Sequence, residues 1–226
     1  MAGNLNLRAL RQSVVGLVLM GLVLFVPAGT LAYWQAWVFL GLFTGASAVI
    51  TVYLAIHAPD LLERRMRVGP AAETERTQKI AVSVALAGFV VLLVVPAFDR
   101  RFGWSRVPAV ISLAGDALIA LSFVGFWRVM KENRFSAATV QIAGDQRVIS
   151  SGPYALVRHP MYAAAVPMIV AIPLALGSWW GLLGLVLFFP ALIWRLLDEE
   201  AFLTRSLPGY REYAERVRYR LVPFVW

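Results

Sequence analysis

The residues best suited to chemistry lie in a polar stretch at 150–162, directly before an apolar run. Its Gly-Pro pair favours a turn. Pro160 fits the first turn of a helix, because N–H groups there have no partner within the helix and the one that proline lacks is not needed. Arg158 and His159 would then lie at a helix amino terminus, which attracts anions. With its two tyrosine rings, the stretch suits a ligand that has a carboxylate and an aromatic base. The alternative is structural, with Arg158 as an anchor at the membrane surface and His159 as a surface residue.

A second polar stretch follows the last apolar run and contains Arg195, Glu199 and Glu200. Arg195 and Glu199 are four residues apart and share one face of a helix. Glu200 points about 100° away from Glu199. These carboxylates could bind ribose hydroxyls or a cationic ligand. The alternative is that the charges only mark where a helix leaves the lipid, with Arg195 neutralising Glu199.

The amino-acid composition indicates whether water or lipid surrounds the chain. Of the 226 residues, 60% are hydrophobic and 15% are charged, whereas soluble domains are nearer half apolar and a quarter charged. The chain has no cysteine, which excludes thiolate catalysis, sulfur-bound zinc and a disulfide scaffold. The net charge of +8 is spread over short segments between apolar runs, as in membrane proteins. We therefore predict a lipid bilayer as the surroundings and neither nucleic acid nor a metal as a partner.

The apolar runs predict six transmembrane helices, at 13–31, 34–57, 80–97, 107–128, 160–177 and 179–195. A cleaved signal peptide is the alternative for the first. The tail from Asp198 onward has helical spacing, and a Pro-Gly pair at 208–209 predicts a break within it. The fold class is therefore an all-α integral membrane protein, with a hairpin of the fifth and sixth helices and an amphipathic carboxyl-terminal helix. We expect a single membrane domain, with transmembrane helices at 1–106 and both polar stretches in a core at 107–226.

One carboxylate, Asp116, falls well inside a predicted span. Charges within the membrane are costly and usually functional. The alternative is that Asp116 lies in the outer third of the helix and pairs with Arg100, Arg101 or Arg106. The pairing is the favoured interpretation.

Together the two polar stretches resemble the isoprenylcysteine carboxyl methyltransferase family and the related phospholipid N-methyltransferases. The matching elements are Ser-Gly-Pro-Tyr-x3-Arg-His-Pro-x-Tyr at 151–162, an apolar hairpin, Glu-Glu-x2-Leu at 199–203, Gly-Tyr-x2-Tyr-x3-Val at 209–217 and Leu-x-Pro at 221–223. The resemblance covers roughly residues 110–226. It implies an integral-membrane methyltransferase that uses S-adenosylmethionine without a soluble Rossmann domain.

The resemblance also implies site residues. The cofactor-binding set is Gln141, Gln146, Arg147, Val148, Ile149, Tyr154, His159, Pro160, Met161, Tyr162 and Glu199. The arguments from residue types add Arg158 and Glu200 to this set. Arg195 is implied to face the methyl acceptor, and Arg195 and Glu199 are the predicted catalytic residues.

The methyl acceptor is predicted to be hydrophobic or prenylated, because the site lies at the membrane. A carboxylate acceptor needs a cation to hold it rather than a general base, and it is the favoured interpretation, as in isoprenylcysteine O-methylation. A phospholipid amine is the alternative, and it must first be deprotonated. Two further alternatives are an NADPH-dependent sterol or steroid reductase, whose carboxyl-terminal pattern is similar, and a transporter or scaffold without enzymatic activity.

The distribution of Lys and Arg predicts the orientation. With the amino terminus inside, 18 of the 21 Lys and Arg residues fall in inside segments, as the positive-inside rule requires. Tags at both termini should therefore be cytoplasmic, and cysteines introduced at 99–106 should react with an impermeant reagent from outside. The predicted site then faces the cytoplasm. An external carboxyl terminus would contradict this orientation.

Overall fold

The computed structural model describes residues 2–140 and 146–226, and the secondary structure of these residues is helical, without strands. The helices are α1 Ala2–Ala28, α2 Trp34–His57, α3 Pro59–Met66, α4 Arg76–Phe102, α5 Ala109–Glu132, α6 Pro160–Ala175, α7 Leu185–Ser206 and α8 Tyr210–Arg216. Short 3-10 turns lie at Pro70–Ala72, Gly152–Ala155 and Trp180–Gly184. The predicted all-α membrane fold is confirmed.

Five helical segments of the described chain are long and apolar enough to cross a membrane. They are Asn4–Ala28, Trp34–His57, Arg76–Phe102, Ala109–Glu132 and Trp180–Ser206. The predicted fifth span, at 160–177, is shorter than expected. Helix α6 has 16 residues, and a helix of that length extends about 24 Å, less than the roughly 30 Å hydrocarbon core of a bilayer. The protein is therefore an integral membrane protein with five full-length helices and a shorter α6.

Despite its length, α6 carries the chain back to the far end of the bundle. The Tyr33 hydroxyl, at the start of α2, donates to the Leu176 carbonyl at 2.6 Å. The Ser178 hydroxyl donates to Asp99 at 2.5 Å, near the end of α4. Close packing against α5 holds α6 in place, since a Cβ on Gly115 would lie 2.8 Å from the Ala175 nitrogen. Small residues at such positions let two membrane helices approach closely.

In the carboxyl-terminal part, α7 is longer than predicted and the last helix is short, while the predicted break between them is present. Helix α7 does not end at Arg195 but continues to Ser206, so both predicted catalytic residues lie on one unbroken helix. The predicted break is present, because Gly209 has a φ of 83°, in the left-handed region that favours glycine. Helix α8 then ends at Arg216, and residues 217–226 form a non-helical end segment.

The favoured pairing of Asp116 is wrong. Asp116 is 6% exposed, and among the described residues neither carboxylate oxygen has a hydrogen-bond partner. Arg100 instead donates to the Ala32 carbonyl, and the Arg101 guanidinium lies over the Phe102 ring. The carboxylate that organises this end of the bundle is Asp99, which accepts from the Ser105 backbone and from two serine hydroxyls.

Candidate active site

A cavity of about 290 Å³ lies where the amino terminus of α6 meets the second half of α7. Helix α6 begins at Pro160, with His159 as its amino-terminal cap residue. The end segment crosses the residues before this helix, because the Arg158 and His159 backbone N–H groups donate to the Tyr219 and Arg220 carbonyls. The cavity is thus enclosed by α6, α7, α8 and the chain between α5 and α6.

The structure brings most of the predicted site residues together around this cavity. Its lining includes Gln146, Arg147, Val148, Ile149, Tyr154, Arg158, His159, Pro160, Met161, Tyr162, Arg195 and Glu199. Gln141 lies outside the described residues. Glu200 is not among the lining residues of the cavity and belongs to a different set of contacts.

Glu200 holds the end segment in place. Its two carboxylate oxygens lie 2.6 Å from Arg158 Nε and 2.6 Å from Arg220 Nε. Arg158 Nη1 also donates to the carbonyls of Ala214, Val217 and Arg218. Through these contacts Arg158 and Glu200 hold the end segment against the start of α6, and Arg158 also lines the cavity.

Arg195 and Glu199 are linked through Tyr162 rather than in direct contact. Arg195 Nε donates to the Tyr162 hydroxyl at 3.0 Å, and that hydroxyl donates to Glu199 Oε2 at 2.6 Å. The helical spacing correctly predicts that both residues face the same cavity. The intervening tyrosine comes from α6, and the i,i+4 pattern alone does not reveal it.

The remaining partners of Arg195 come from parts of the chain that the sequence did not connect to the site. Arg195 Nη1 lies 2.8 Å from Glu73 Oε1 and 2.9 Å from Gln78 Oε1, while Nη2 donates to the Ala138 carbonyl at 3.0 Å. A guanidinium has five N–H groups, and contacts within the described chain occupy four of them. The second N–H on Nη2 has no partner among residues 2–140 and 146–226.

Two buried polar groups on the cavity wall lack partners among the described residues. They are His159 Nε2 and the Tyr210 hydroxyl, and both residues are about 95% buried. Burial and the nearby charges of Arg158 and Arg220 lower the pKa of His159 from 6.5 to about 3, so its imidazole is neutral at pH 7. Buried polar groups are normally hydrogen-bonded. Two unmatched groups on one wall therefore fit a polar ligand.

Tyr154 connects the cavity wall to α8. Its hydroxyl accepts a hydrogen bond from Asn133 Nδ2 at 2.9 Å, and its carbonyl accepts one from the Tyr213 hydroxyl at 2.8 Å. Burial raises the pKa of Tyr154 to about 12, so the phenol stays protonated and can serve as a ring surface or a neutral hydrogen-bonding group.

Several lining residues were not predicted as site residues. They include Arg65, Asn133, Leu203, Leu207, Tyr210 and Tyr213. Tyr210 and Tyr213 stand in the Gly-Tyr-x2-Tyr element, so a signal for them existed. Arg65 lies on the short helix α3, far from the motifs along the chain, and no local pattern marks it.

Residues 110–208 match the phospholipid methyltransferase family. The match supports a membrane methyltransferase, and it is not specific to isoprenylcysteine carboxyl methyltransferases. No curated protein sequence matches the chain. The matched region includes α6 and all of α7, whereas Arg65, Glu73 and Gln78 lie before it.

The buried neutral His159 predicts an acid-sensitive fold. Unfolding returns the pKa of His159 from about 3 to 6.5, so the unfolded chain takes up a proton that the folded chain excludes. The free energy of unfolding is therefore unaffected by the titration of His159 above pH 6.5, and it decreases as the pH falls from 6.5 towards 3. At pH 5 the loss should be about 2 kcal/mol. Thermal unfolding in detergent from pH 7.5 to pH 5 should show a steeper loss of stability for the wild type than for His159→Gln.

The other histidine offers a matched control for this experiment. His57 is exposed at the end of α2, so His57→Gln should keep the wild-type pH dependence. Equal pH dependence in wild type and His159→Gln would contradict the burial of a neutral imidazole.

Proposed function

We propose that this chain transfers a methyl group from S-adenosylmethionine to a membrane-embedded acceptor in the cavity described above. The observation that carries the proposal is that His159 Nε2 and the Tyr210 hydroxyl, which have no partner in the part of the chain that the structure describes, line the same cavity as Glu199 and Tyr162. The family match over residues 110–208 supports the same activity.

The residues around the cavity fit the chemical groups of this cofactor. Its adenine and amino-acid ends carry hydrogen-bonding groups that suit His159 and Tyr210. The Glu199 carboxylate and the tyrosine rings favour a cation nearby. Residues 146–149 and Tyr154 would complete the binding surface. When bound, S-adenosylmethionine supplies an electrophilic methyl group on a positively charged sulfur.

Methyl transfer requires little acid or base catalysis by the protein. The main requirements are alignment of the reacting atoms and exclusion of water. Glu200 supports both, because its contacts with Arg158 and Arg220 hold residues 217–226 against the start of α6. The end segment is thus a fixed wall on one side of the cavity.

A second cavity provides space for the apolar part of an acceptor. It measures about 310 Å³ and is lined mainly by apolar residues of α1, α2, α3 and α5. Arg65 lines both cavities, and its Nη1 donates to the Ser136 carbonyl at 2.8 Å. An acceptor with its chain among these helices would present its polar end at Arg65, beside the first cavity. This arrangement supports a lipid-like acceptor.

The contacts of Arg195 favour an amine over a carboxylate as the methylated group. Glu73 already neutralises Arg195, and contacts with described residues occupy four of its five N–H groups, so a two-pronged contact with a carboxylate would require breaking one of them. An amine must lose a proton before it attacks, and Glu199 is a carboxylate on the cavity wall. The family match also supports a phospholipid amine. Carboxyl methylation is the second candidate, supported by the position of the Arg195 guanidinium on the cavity wall.

The acceptor class can be tested directly. Purified protein in lipid nanodiscs should methylate phosphatidylethanolamine with isotope-labelled S-adenosylmethionine, as read by mass spectrometry. A prenylcysteine analogue in a parallel reaction reports ester formation. Methyl ester with no methylated amine would favour the second candidate. Binding of NADPH without binding of S-adenosylmethionine would contradict the proposal and favour a reductase.

Cofactor contacts can be tested by substitution. His159→Ala and Glu199→Gln each remove a hydrogen-bonding group or charge from a desolvated site, and such a loss costs about 1–3 kcal/mol. Binding of S-adenosylmethionine should therefore weaken by roughly 5- to 150-fold, as measured by calorimetry. His57→Ala is the matched control and should bind as the wild type does. Wild-type affinity in both site variants would place the cofactor elsewhere.

A further inference from the structure

A buried carboxylate from the amino-terminal half of the chain holds Arg195. Glu73 directly follows the 3-10 turn at Pro70–Ala72 and precedes α4. Its Oε1 lies 2.8 Å from Arg195 Nη1, with the two side chains 2% and 11% exposed. The pair therefore lies almost entirely away from water.

The same two side chains also hold the cavity wall. Glu73 Oε2 accepts a hydrogen bond from the Val140 N–H at 3.1 Å, and Arg195 Nη2 donates to the Ala138 carbonyl at 3.0 Å. Residues 138–140 line the cavity. Glu73 thus fixes Arg195 and this part of the wall relative to each other.

Gln78 braces the pair from the first turn of α4. Its Oε1 accepts from Arg195 Nη1 at 2.9 Å, and its Nε2 donates to Asp198 Oδ2 at 2.5 Å. The first turn of α4 is thereby joined to α7 at two positions. This contact leaves the Arg195 guanidinium little freedom to rotate about its long side chain.

The orientation of Arg195 matters because Arg195 orients Tyr162 and, through it, Glu199, and both of these side chains face the ligand. With Nη1 held by Glu73 and Gln78, Nε points to the Tyr162 hydroxyl, which in turn donates to Glu199. Without Glu73, the buried guanidinium would carry an uncompensated charge, which is strongly unfavourable. The guanidinium would then be free to rotate, and its contact with the Tyr162 hydroxyl, which orients that hydroxyl towards Glu199, would be lost.

We propose that Glu73 is a positioning residue that sets Arg195, Tyr162 and Glu199 for methyl transfer; this rests on the proposed function. Glu73 lies before the region matched to the methyltransferase family, residues 110–208. The amino-terminal half therefore completes the site in addition to anchoring the protein in the membrane.

Turnover in Glu73→Gln tests this role. The substitution keeps the size of the side chain and removes its charge, so Arg195 shifts while His159 and Tyr210 stay available to the cofactor. The single-turnover rate per cofactor-binding site should fall by roughly 10- to 100-fold, since a misplacement of about 1 Å can cost that much, with a smaller change in cofactor affinity. Glu73→Asp keeps the charge and should recover part of the rate. Glu75→Gln, at an exposed position two residues away, is the matched control with wild-type turnover.

A second measurement does not depend on activity. Phenylglyoxal modifies arginines that are not held in ion pairs, and mass spectrometry can follow the peptide that contains Arg195. Its modification should be faster in Glu73→Gln and unchanged in Glu75→Gln. A wild type that methylates nothing would contradict the proposed function, while the labelling rates would still test whether Glu73 holds Arg195.

Three results would overturn the positioning role. One is wild-type turnover per cofactor-binding site in Glu73→Gln, even with lower thermal stability, because that is the result of a purely structural pair. Another is unchanged labelling of Arg195 in Glu73→Gln. Should Glu73→Gln fail to fold, Glu73→Asp takes its place, and full wild-type turnover in that variant is the third.

Discussion

The site is organised by the need of one buried guanidinium for partners. Arg195 lies on a membrane-crossing helix, where water cannot satisfy its charge and the protein must do so. Its partners come from the chain before α4, the first turn of α4, the segment after α5 and the start of α6. The hydrogen bonds and the ion pair of this one side chain therefore hold four separate parts of the chain together at the same end of the bundle.

Two adjacent carboxylates on α7 serve different purposes because successive helical residues point about 100° apart. Glu199 faces the cavity and accepts the Tyr162 hydroxyl. Glu200 faces the end segment and binds Arg158 and Arg220. One carboxylate is available to a ligand, and its neighbour keeps the wall of the cavity closed.

The two cavities suggest how a water-soluble cofactor and a lipid-like acceptor could meet. The first has the more polar lining of the two, includes the groups of His159 and Tyr210 that lack a partner among the described residues, and lies at the end of the bundle. The second lies among the amino-terminal helices and is mainly apolar. Arg65 belongs to both. The chain outside the family match thus contributes most of the second cavity and two of the partners of Arg195, Glu73 and Gln78.

The sequence by itself determined the features that depend on local pattern. Runs of apolar residues predicted α2 with its observed bounds, and spacing along one helix predicted that Arg195 and Glu199 share a cavity. Only the tertiary structure decided which distant groups meet them. Glu73 and Arg195 are 122 positions apart, Asp116 proved to have no arginine partner among the described residues, and Glu200 proved to bind the end segment. Ion pairs between helices depend on how whole elements pack, and periodicity within one helix carries no information about that packing.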